Sequence, residues 1–182
     1  MPKQETSHPL FKYRFCPVCG SEKFGNSSEK SKKCAACGFE MFMNPSAATA
    51  AFIFDNNERM LVVRRGREPA KGTLDLPGGF SDIGETSEET MKREVKEETG
   101  LTVSSAEFLF SLPNTYRYGG IAIPTIDMFY RCNVADTDII TPGDDVNDAA
   151  WIPVNELNPE KFGLQSICNG VKRLIDEHFS KR

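Results

Sequence analysis

Two copies of one short cysteine motif near the front of the chain constrain its fold more than any other feature. The copies are residues 16–20 (CPVCG) and 34–38 (CAACG), with fourteen residues between Cys19 and Cys34. Two thiolates three positions apart can bind one side of a tetrahedral ion. The glycine that ends each copy allows the positive φ that turns backbone amides toward the sulfurs. Because the residues between the copies are too polar to form a core, this segment needs a metal for stability.

The four cysteines are therefore predicted to bind one structural zinc ion. The proposed ligands are Cys16, Cys19, Cys34 and Cys37. A redox-active pair and unligated surface thiols are the alternatives, but a duplicated motif at this spacing favours zinc. The pattern resembles a zinc ribbon over about residues 13–40, in which four thiolates leave no coordination position for a substrate.

Single residues around the motifs carry weaker expectations. Lys30, Lys32 and Lys33 lie between the two copies and are interpreted as a solvated hairpin rather than a nucleic-acid contact. Cys132 and Cys168 stand apart from the motifs and are predicted to be small core residues.

Composition and charge exclude several classes of protein. The 182 residues suffice for one full domain with a small appendage, and the 39% hydrophobic content is ordinary for a folded chain. The longest apolar stretch, residues 47–54, is too short for a membrane span, and no apolar secretory core precedes it, so a cytoplasmic protein is predicted. Residues 1–44 carry a net charge of +3 and the remainder −7, which disfavours a uniformly basic nucleic-acid binder. A local basic patch on the first segment stays open.

Two domains are predicted, with residues 1–45 as the zinc ribbon and residues 46–182 as an α/β domain. Residues 47–54 and 59–64 are strand-like and are interpreted as a hairpin around a turn at 55–57. A helix is predicted from Ser87 to Thr99, with Thr86 as its N-cap and Gly100 at its C-terminal end. Further strands are predicted at 101–111, 121–134 and 149–153, and a final amphipathic helix at about 165–180. That helix would present one apolar face, formed by Ile167, Val171, Leu174, Ile175 and Phe179.

The predicted first helix carries the residues that most clearly indicate a chemistry. Glu94, Glu97 and Glu98 are three or four positions apart and so share one helix face. Arg93 lies beside them, and Glu85 precedes the helix. Hard oxygen ligands on a rigid helix suit Mg²⁺ or Mn²⁺, with phosphates completing the coordination. An acidic solvent-facing helix is the alternative.

The full spacing of the segment favours the metal site. Residues 79–101 read GFSDIGETSEETMKREVKEETGL, and over these twenty-three positions the chain resembles the Nudix box at every defining position. The resemblance extends more weakly to residues 76–79 (LPGG) and 150–153 (AWIP), and Leu74 stands where many relatives have tryptophan. It implies an α/β fold, a Nudix-like α/β/α sandwich with a mixed sheet.

The resemblance also implies a reaction and a set of roles. Nudix enzymes hydrolyse a phosphoanhydride bond of a nucleoside diphosphate linked to another moiety, with divalent metal. On that basis Glu94, Glu97 and Glu98 are metal ligands, and Gly79 contributes its backbone carbonyl. Arg93 orients a motif glutamate and Glu85 supports it, while either Glu97 or Glu98 acts as the general base.

One further acid is suggested by the resemblance. In zinc-ribbon Nudix enzymes similar to NADH pyrophosphatases, a glutamate six residues before a late tryptophan adds a metal ligand. Asp145 lies six residues before Trp151 here, although aspartate is shorter than glutamate. An acidic surface turn is the alternative.

The substrate is less defined than the reaction. A zinc ribbon followed by a Nudix domain resembles part of an NADH pyrophosphatase, but residues 111–117 (SLPNTYR) match the selectivity stretch of those enzymes only at the serine and first proline. Tyr116 and Tyr118 are predicted to stack on a base or ribose, and Arg64, with Arg65 beside it, to meet phosphates. Ordinary loop aromatics and a solvated strand-end pair are the respective alternatives.

Several function classes therefore stay open. ADP-ribose, NAD(H) and related dinucleotides are the expected substrates, with nucleoside triphosphates or a non-catalytic ligand-sensing Nudix module as alternatives. Nucleic-acid binding lacks sequence support, no membrane contact is expected, and a homodimer is left open.

Overall fold

The computed structural model describes residues 8–135, 140, 141, 143 and 146–180, which form two compact units. Unit 1 contains the chain up to Pro45 together with Thr115–Pro124. Unit 2 contains Ser46–Asn114 and the chain from Thr125 onward. The predicted domains, residues 1–45 and 46–182, stay a prediction, and residues 115–124 group with unit 1. No helix among the described residues is long and apolar enough to cross a membrane.

Unit 1 is built on a small antiparallel sheet. Its strands are β1 (Phe24–Ser28), β2 (Ser31–Cys34) and β3 (Glu40–Phe42), with β2 in the middle. Buried Cys16, Phe24 and Cys34 form its core, with three partly buried side chains packed around them, Tyr13, Phe39 and Met41. Such a core is too small to stabilise a fold of this length without further help.

The prediction that the three lysines of this hairpin are solvated is confirmed for two of them. Lys30 and Lys33 are exposed, whereas Lys32 is only 7% exposed. Its Nζ donates a hydrogen bond of 2.7 Å to the Tyr13 carbonyl and lies 5.8 Å from the centroid of the Phe24 ring. Lys32 is buried because its aliphatic stem can pack on the small core while the ammonium finds an acceptor.

The chain after Pro45 forms two further three-stranded sheets, of which all residues outside Thr115–Pro124 belong to unit 2. One has the order β4–β8–β7 and the other β6–β5–β9. The strand bounds are Ser46–Ile53 (β4), Arg59–Arg65 (β5), Leu74–Asp75 (β6), Val103–Tyr118 (β7), Ile121–Val134 (β8) and Val146–Pro153 (β9). β4 is parallel to β8, whereas β5 is antiparallel to both of its neighbours, so parallel and antiparallel pairs coexist.

The predicted hairpin of β4 and β5 is wrong. The two strands meet only at an isolated bridge between Phe54 and Met60, and they then enter different sheets. Both strands are apolar on both faces, which is typical of central strands that need a partner on each side. Those partners come from distant sequence, β8 for β4 and β9 for β5.

Helices cover opposite faces of these strands. Even-numbered residues of β4 and β5, such as Phe52 and Val62, face a core that includes Ile167 and Val171 of helix α2 (Gln165–Ser180). Odd-numbered residues such as Ile53 face a second core, which contains Met91 and Val95 of helix α1 (Ser87–Thr99). The predicted α/β/α sandwich with a mixed sheet is therefore confirmed.

The remaining predictions about elements and core residues mostly hold. Helix α2 has the predicted bounds and its predicted apolar face lies in the core, although the side chain of Phe179 lies outside the described residues. Cys132 is buried and Cys168 packs against the core, as predicted. β7 is longer than predicted, because the segment expected to be a loop continues as a strand to Tyr118.

Candidate active site

Helix α1 begins and ends where its local sequence predicts. The Thr86 hydroxyl accepts a hydrogen bond from the Glu89 backbone N–H (3.2 Å), and the Glu89 carboxylate accepts one from the Thr86 N–H (2.8 Å), which completes a capping box. Gly100 ends the helix with φ of 75°. Buried Met91, Val95 and Thr99 attach one side of the helix to the core. The helix can therefore hold its carboxylates in a fixed position.

The glycine turn before α1 lies directly against strand β4. The Thr49 N–H donates to the Gly79 carbonyl (2.8 Å), and the Ala51 N–H donates to the Pro77 carbonyl (2.8 Å). Gly78 has φ of 151°, and a Cβ built on it would stand 2.1 Å from the Thr49 carbonyl oxygen. Only glycine allows so close an approach of two backbones, so β4 sets the position of this turn.

Glu98 is the buried member of the acidic set. It is 8% exposed, and its Oε2 accepts a hydrogen bond of 3.0 Å from the Gly78 backbone N–H. Burial raises the pKa of Glu98 to about 8, against the opposing effect of the Gly78 N–H, and the nearby Glu94 carboxylate raises it further. A bound divalent cation would favour the ionised form, so this position fits a metal ligand.

Arg93 connects the other three carboxylates. Its guanidinium binds Glu85 through two hydrogen bonds, Nε to Oε1 (2.7 Å) and Nη2 to Oε2 (2.9 Å). Nη1 also donates to Glu94 Oε1 (2.8 Å) and to Glu97 Oε2 (3.1 Å). The hydrogen bonds from Arg93 are the largest cause that lowers the pKa of Glu85 to about 2. Glu85 therefore stays ionised and holds the guanidinium among the helix carboxylates.

The donor set suits hard divalent ions bound together with phosphate. Glu94, Glu97 and Glu98 offer carboxylate oxygens, and the Gly79 carbonyl retains one lone pair beside its hydrogen bond from Thr49. Within the described part of the chain, the three carboxylates do not form a group whose ligand oxygens all lie within 4.8 Å of one another. Arg93 forms ion pairs with two of them, Glu94 and Glu97.

Gly79 leaves the space that the Glu94 carboxylate occupies. A Cβ at Gly79 would lie 2.5–2.8 Å from three atoms of that carboxylate group. We therefore expect Gly79→Ala to displace Glu94 and to lower kcat/KM by about 10²-fold, since ångström-scale misplacement in an active site costs that much. Steady-state kinetics and a thermal melt of the purified variant measure both effects.

Gly84→Ala is the matched control for this prediction. Gly84 also lies in the segment before α1, but nothing is within 4 Å of an added Cβ there. Its φ of 92° implies only a backbone cost of about 1–2 kcal/mol. Equal losses of kcat/KM in both variants would contradict the steric role of Gly79.

The four cysteines gather at one point of unit 1. The Sγ atoms of Cys16 and Cys37 are 3.7 Å apart, those of Cys19 and Cys34 are 3.6 Å apart, and all four lie within 4.8 Å of one another. A tetrahedral zinc ion with Zn–S bonds of about 2.3 Å requires sulfurs separated by about 3.8 Å. The observed separations fit that requirement.

The two motifs have the same backbone geometry. The Gly20 N–H donates to the Cys16 carbonyl and the Gly38 N–H to the Cys34 carbonyl, each at 2.9 Å. Gly20 and Gly38 have φ of 71° and 80°, which confirms the positive φ predicted for these glycines.

The other predicted site residues are divided between the two units. Tyr116, half-buried, and Tyr118, 67% exposed, both belong to unit 1. Arg64 is exposed at the end of β5, and its Nη1 donates to the Gly72 carbonyl (2.6 Å). Arg65 forms a mostly buried ion pair with Asp75. Asp145 lies outside the described residues.

Sequence reasoning missed a buried carboxylate in unit 2. Asp127 on β8 is 5% exposed and accepts hydrogen bonds from Asn114 (3.1 Å), Thr125 (2.7 Å) and the Ser166 hydroxyl. An acid between the apolar residues Ile126 and Met128 of β8 is the one indication that the sequence contains. The hydrogen-bond donors come from β7, β8 and α2 and are not adjacent in sequence.

Known proteins resemble this chain in sequence and in fold. The model of the NUDIX domain family matches residues 43–167. An ADP-ribose pyrophosphatase of Methanocaldococcus jannaschii is 32% identical over 72% of this chain and 75% of the relative. The NAD-capped RNA hydrolase NudC of Vibrio atlanticus is 25% identical over 82% of this chain and 53% of that protein, so the chain spans about half the length of this relative. A crystal structure of a NUDIX hydrolase from Nitrosomonas europaea has the same fold, with a TM-score of 0.70, 22% identity and coverage of 92% and 93% of the two chains.

Proposed function

The chain belongs to the NUDIX family, and from this we propose that it is a metal-dependent pyrophosphohydrolase that cleaves a nucleoside diphosphate linked to another moiety. One observation carries the proposal. Glu94, Glu97 and Glu98 project from a helix whose position is fixed by its caps and core, beside a glycine turn that is held against β4. This arrangement supplies oxygen ligands and open backbone next to them, which a pyrophosphate with its counterions requires.

We assign the following roles to the residues of this site. Glu94, Glu97 and Glu98 hold Mg²⁺ or Mn²⁺, which when bound neutralises the pyrophosphate and lowers the pKa of the attacking water. Arg93 orients Glu94 and Glu97, and Glu85 keeps Arg93 in place. The water oxygen bonds to one phosphorus while the bond from that phosphorus to the bridging oxygen breaks, and Glu97 or Glu98 accepts the proton.

The substrate assignment rests on the relatives. The ADP-ribose pyrophosphatase and the NAD-capped RNA hydrolase share the chemistry of an adenosine diphosphate joined to a second group, and we propose that class for this chain. Tyr116 and Tyr118 are proposed to stack on a base or ribose and Arg64 to meet a phosphate, supported by the exposure of Tyr118 and Arg64. Asp145 is proposed as an additional metal ligand.

A substrate panel tests the proposed activity. The chain is incubated with Mg²⁺ or Mn²⁺ and with ADP-ribose, NADH, NAD, diadenosine polyphosphates, FAD or nucleoside triphosphates. Products with terminal phosphates are then detected by phosphatase coupling. We expect turnover with ADP-ribose or a dinucleotide, abolished by EDTA. Turnover of triphosphates alone would identify the alternative substrate class, and turnover of no compound would favour a ligand-sensing module and contradict the enzymatic proposal.

We further propose that the cysteine cluster of unit 1 is a zinc ribbon and that the zinc is structural. The sulfur separations and the paired glycine geometry support this assignment. The six cysteines form no disulfide, which suits a reducing compartment and supports the predicted cytoplasmic location. The homodimer stays a prediction, and light scattering tests it.

A further inference from the structure

A groove on unit 1 combines aromatic side chains with positive charge and has no role in the proposed reaction. Its volume is about 700 Å³. Phe11, Phe15 and Phe24 supply its aromatic lining, Arg14 and Lys32 supply two cations, and Glu22 supplies one acid. All of these residues precede Pro45, so the groove lies within unit 1 alone. We propose that it binds single-stranded nucleic acid, with phosphates on Lys32 and Arg14 and bases on Phe11 and Phe15.

The buried ammonium of Lys32 provides the strongest argument for an anionic ligand. Lys32 is only 7% exposed, and the Tyr13 carbonyl accepts a hydrogen bond from its ammonium. Among the described residues no carboxylate lies within 4.0 Å of its Nζ. A buried charge without a counterion is costly, and an ammonium has three hydrogens to donate. A phosphate oxygen at the groove would supply the missing negative partner.

The aromatic residues indicate what is attached to that phosphate. Phe15 is 53% exposed and Phe11 is 39% exposed, although phenylalanine is ordinarily buried. Exposed rings beside cations are the arrangement by which proteins hold single strands, because every base can stack on a ring while the backbone follows positive charge. An acidic peptide would satisfy Lys32 but would leave the rings without a planar partner.

The charge of the whole unit supports the same partner. Residues 8–45 contain six lysines and arginines against three glutamates, and the associated segment Thr115–Pro124 adds Arg117 and no acid. Unit 1 is therefore positive within a chain whose net charge is −4. Positive charge confined to one unit steers polyanions to that unit.

The experiment measures binding of a labelled oligonucleotide to the full chain. The probe is a 12-nucleotide uridine RNA with a free 5′-hydroxyl and a 3′-fluorophore, followed by fluorescence anisotropy. It contains no pyrophosphate, so its binding does not depend on the proposed hydrolysis. We expect saturable binding whose logarithmic salt dependence has a slope of about −1.4, as two phosphate contacts with a single strand require.

Variants separate the groove from general electrostatics. We expect Phe15→Ala to weaken binding by about 5- to 100-fold through loss of one stacking ring. Phe42→Ala is its control, since Phe42 is 50% exposed in the same unit but does not line the groove. Lys32→Met should reduce the magnitude of the salt slope by about 0.7, whereas Lys33→Gln on the same strand should change the affinity far less.

Three results would contradict the proposal that this groove binds single-stranded nucleic acid. A wild-type chain that does not bind the RNA, equal losses from Phe15→Ala and Phe42→Ala, or equal competition by a polyglutamate peptide would each overturn it. One bound zinc per chain in every variant shows that unit 1 is intact. ADP-ribose hydrolysis is measured on the same samples, so RNA binding without hydrolysis would refute the proposed function and leave this inference standing.

Discussion

Replacement of Glu98 or Glu97 by glutamine is expected to lower kcat by about 10²–10³-fold or more, the size of effect seen when one electrostatic group of an active site is lost. Glutamine removes the charge at nearly constant shape. At Glu98 its amide oxygen can still accept the hydrogen bond from the Gly78 N–H, so the position of α1 is preserved. The loss of activity therefore reports the carboxylate rather than the fold.

The two variants also distinguish a metal ligand from a general base. Loss of a ligand raises the metal concentration needed for half-maximal activity, and excess Mn²⁺ partly restores turnover. Loss of the base leaves metal affinity nearly unchanged and removes the acidic limb of the pH–rate profile. Glu88→Gln is the control, because Glu88 is exposed on the first turn of the same helix. Retention of full activity in both Glu97→Gln and Glu98→Gln would refute the assignment of this helix as the catalytic element.

Removal of the metal from unit 1 is expected to unfold that unit and to spare unit 2. Among the described residues, the hydrophobic cluster of unit 1 has three buried members, Cys16, Phe24 and Cys34, two of which are proposed ligands. The free energy of zinc binding to such small sites, about 10–16 kcal/mol, is therefore most of the folding free energy. A strong chelator or Cys34→Ser should abolish dispersed NMR signals from residues 8–45. The helical circular dichroism should persist, since α1 and α2 belong to unit 2.

Cys168→Ser is the matched control for metal loss. Cys168 is a free thiol that packs against the core of unit 2, outside the cysteine cluster. Elemental analysis should find one zinc per chain in wild type and in this variant, and less in Cys34→Ser. Cobalt substitution should produce the absorption of a tetrahedral thiolate site. A Cys34→Ser chain with full zinc content and unchanged spectra of unit 1 would contradict the site.

Local elements of this fold could be predicted from the sequence because their determinants are close together along the chain. The ends of α1 depend on Thr86, Glu89 and Gly100, whose hydrogen bonds span at most one turn of helix. The positive φ of Gly20 and Gly38 depends on the cysteine motif that each glycine ends. In each case a few neighbouring residues suffice to specify the geometry.

Strand pairing could not be predicted in the same way. β4 and β5 are adjacent in sequence and were expected to pair, yet Ala50 pairs with Phe129 and Leu61 with Trp151. Two strands that are apolar on both faces do not themselves indicate which strands will flank them, because many partners would bury the same surface.

By itself, the sequence determined the chemistry that the chain can offer: four thiolates at zinc spacing, three carboxylates on one face of a capped helix, and glycines where backbones must approach. Tertiary structure alone decided how that chemistry is arranged. It buried Glu98 beneath the Gly78 N–H, enclosed the Lys32 ammonium with no carboxylate of the described residues within 4.0 Å, and grouped Thr115–Pro124 with unit 1. The physical reason is that hydrogen bonds within a turn depend on neighbours, whereas burial depends on which distant residues exclude water from a site.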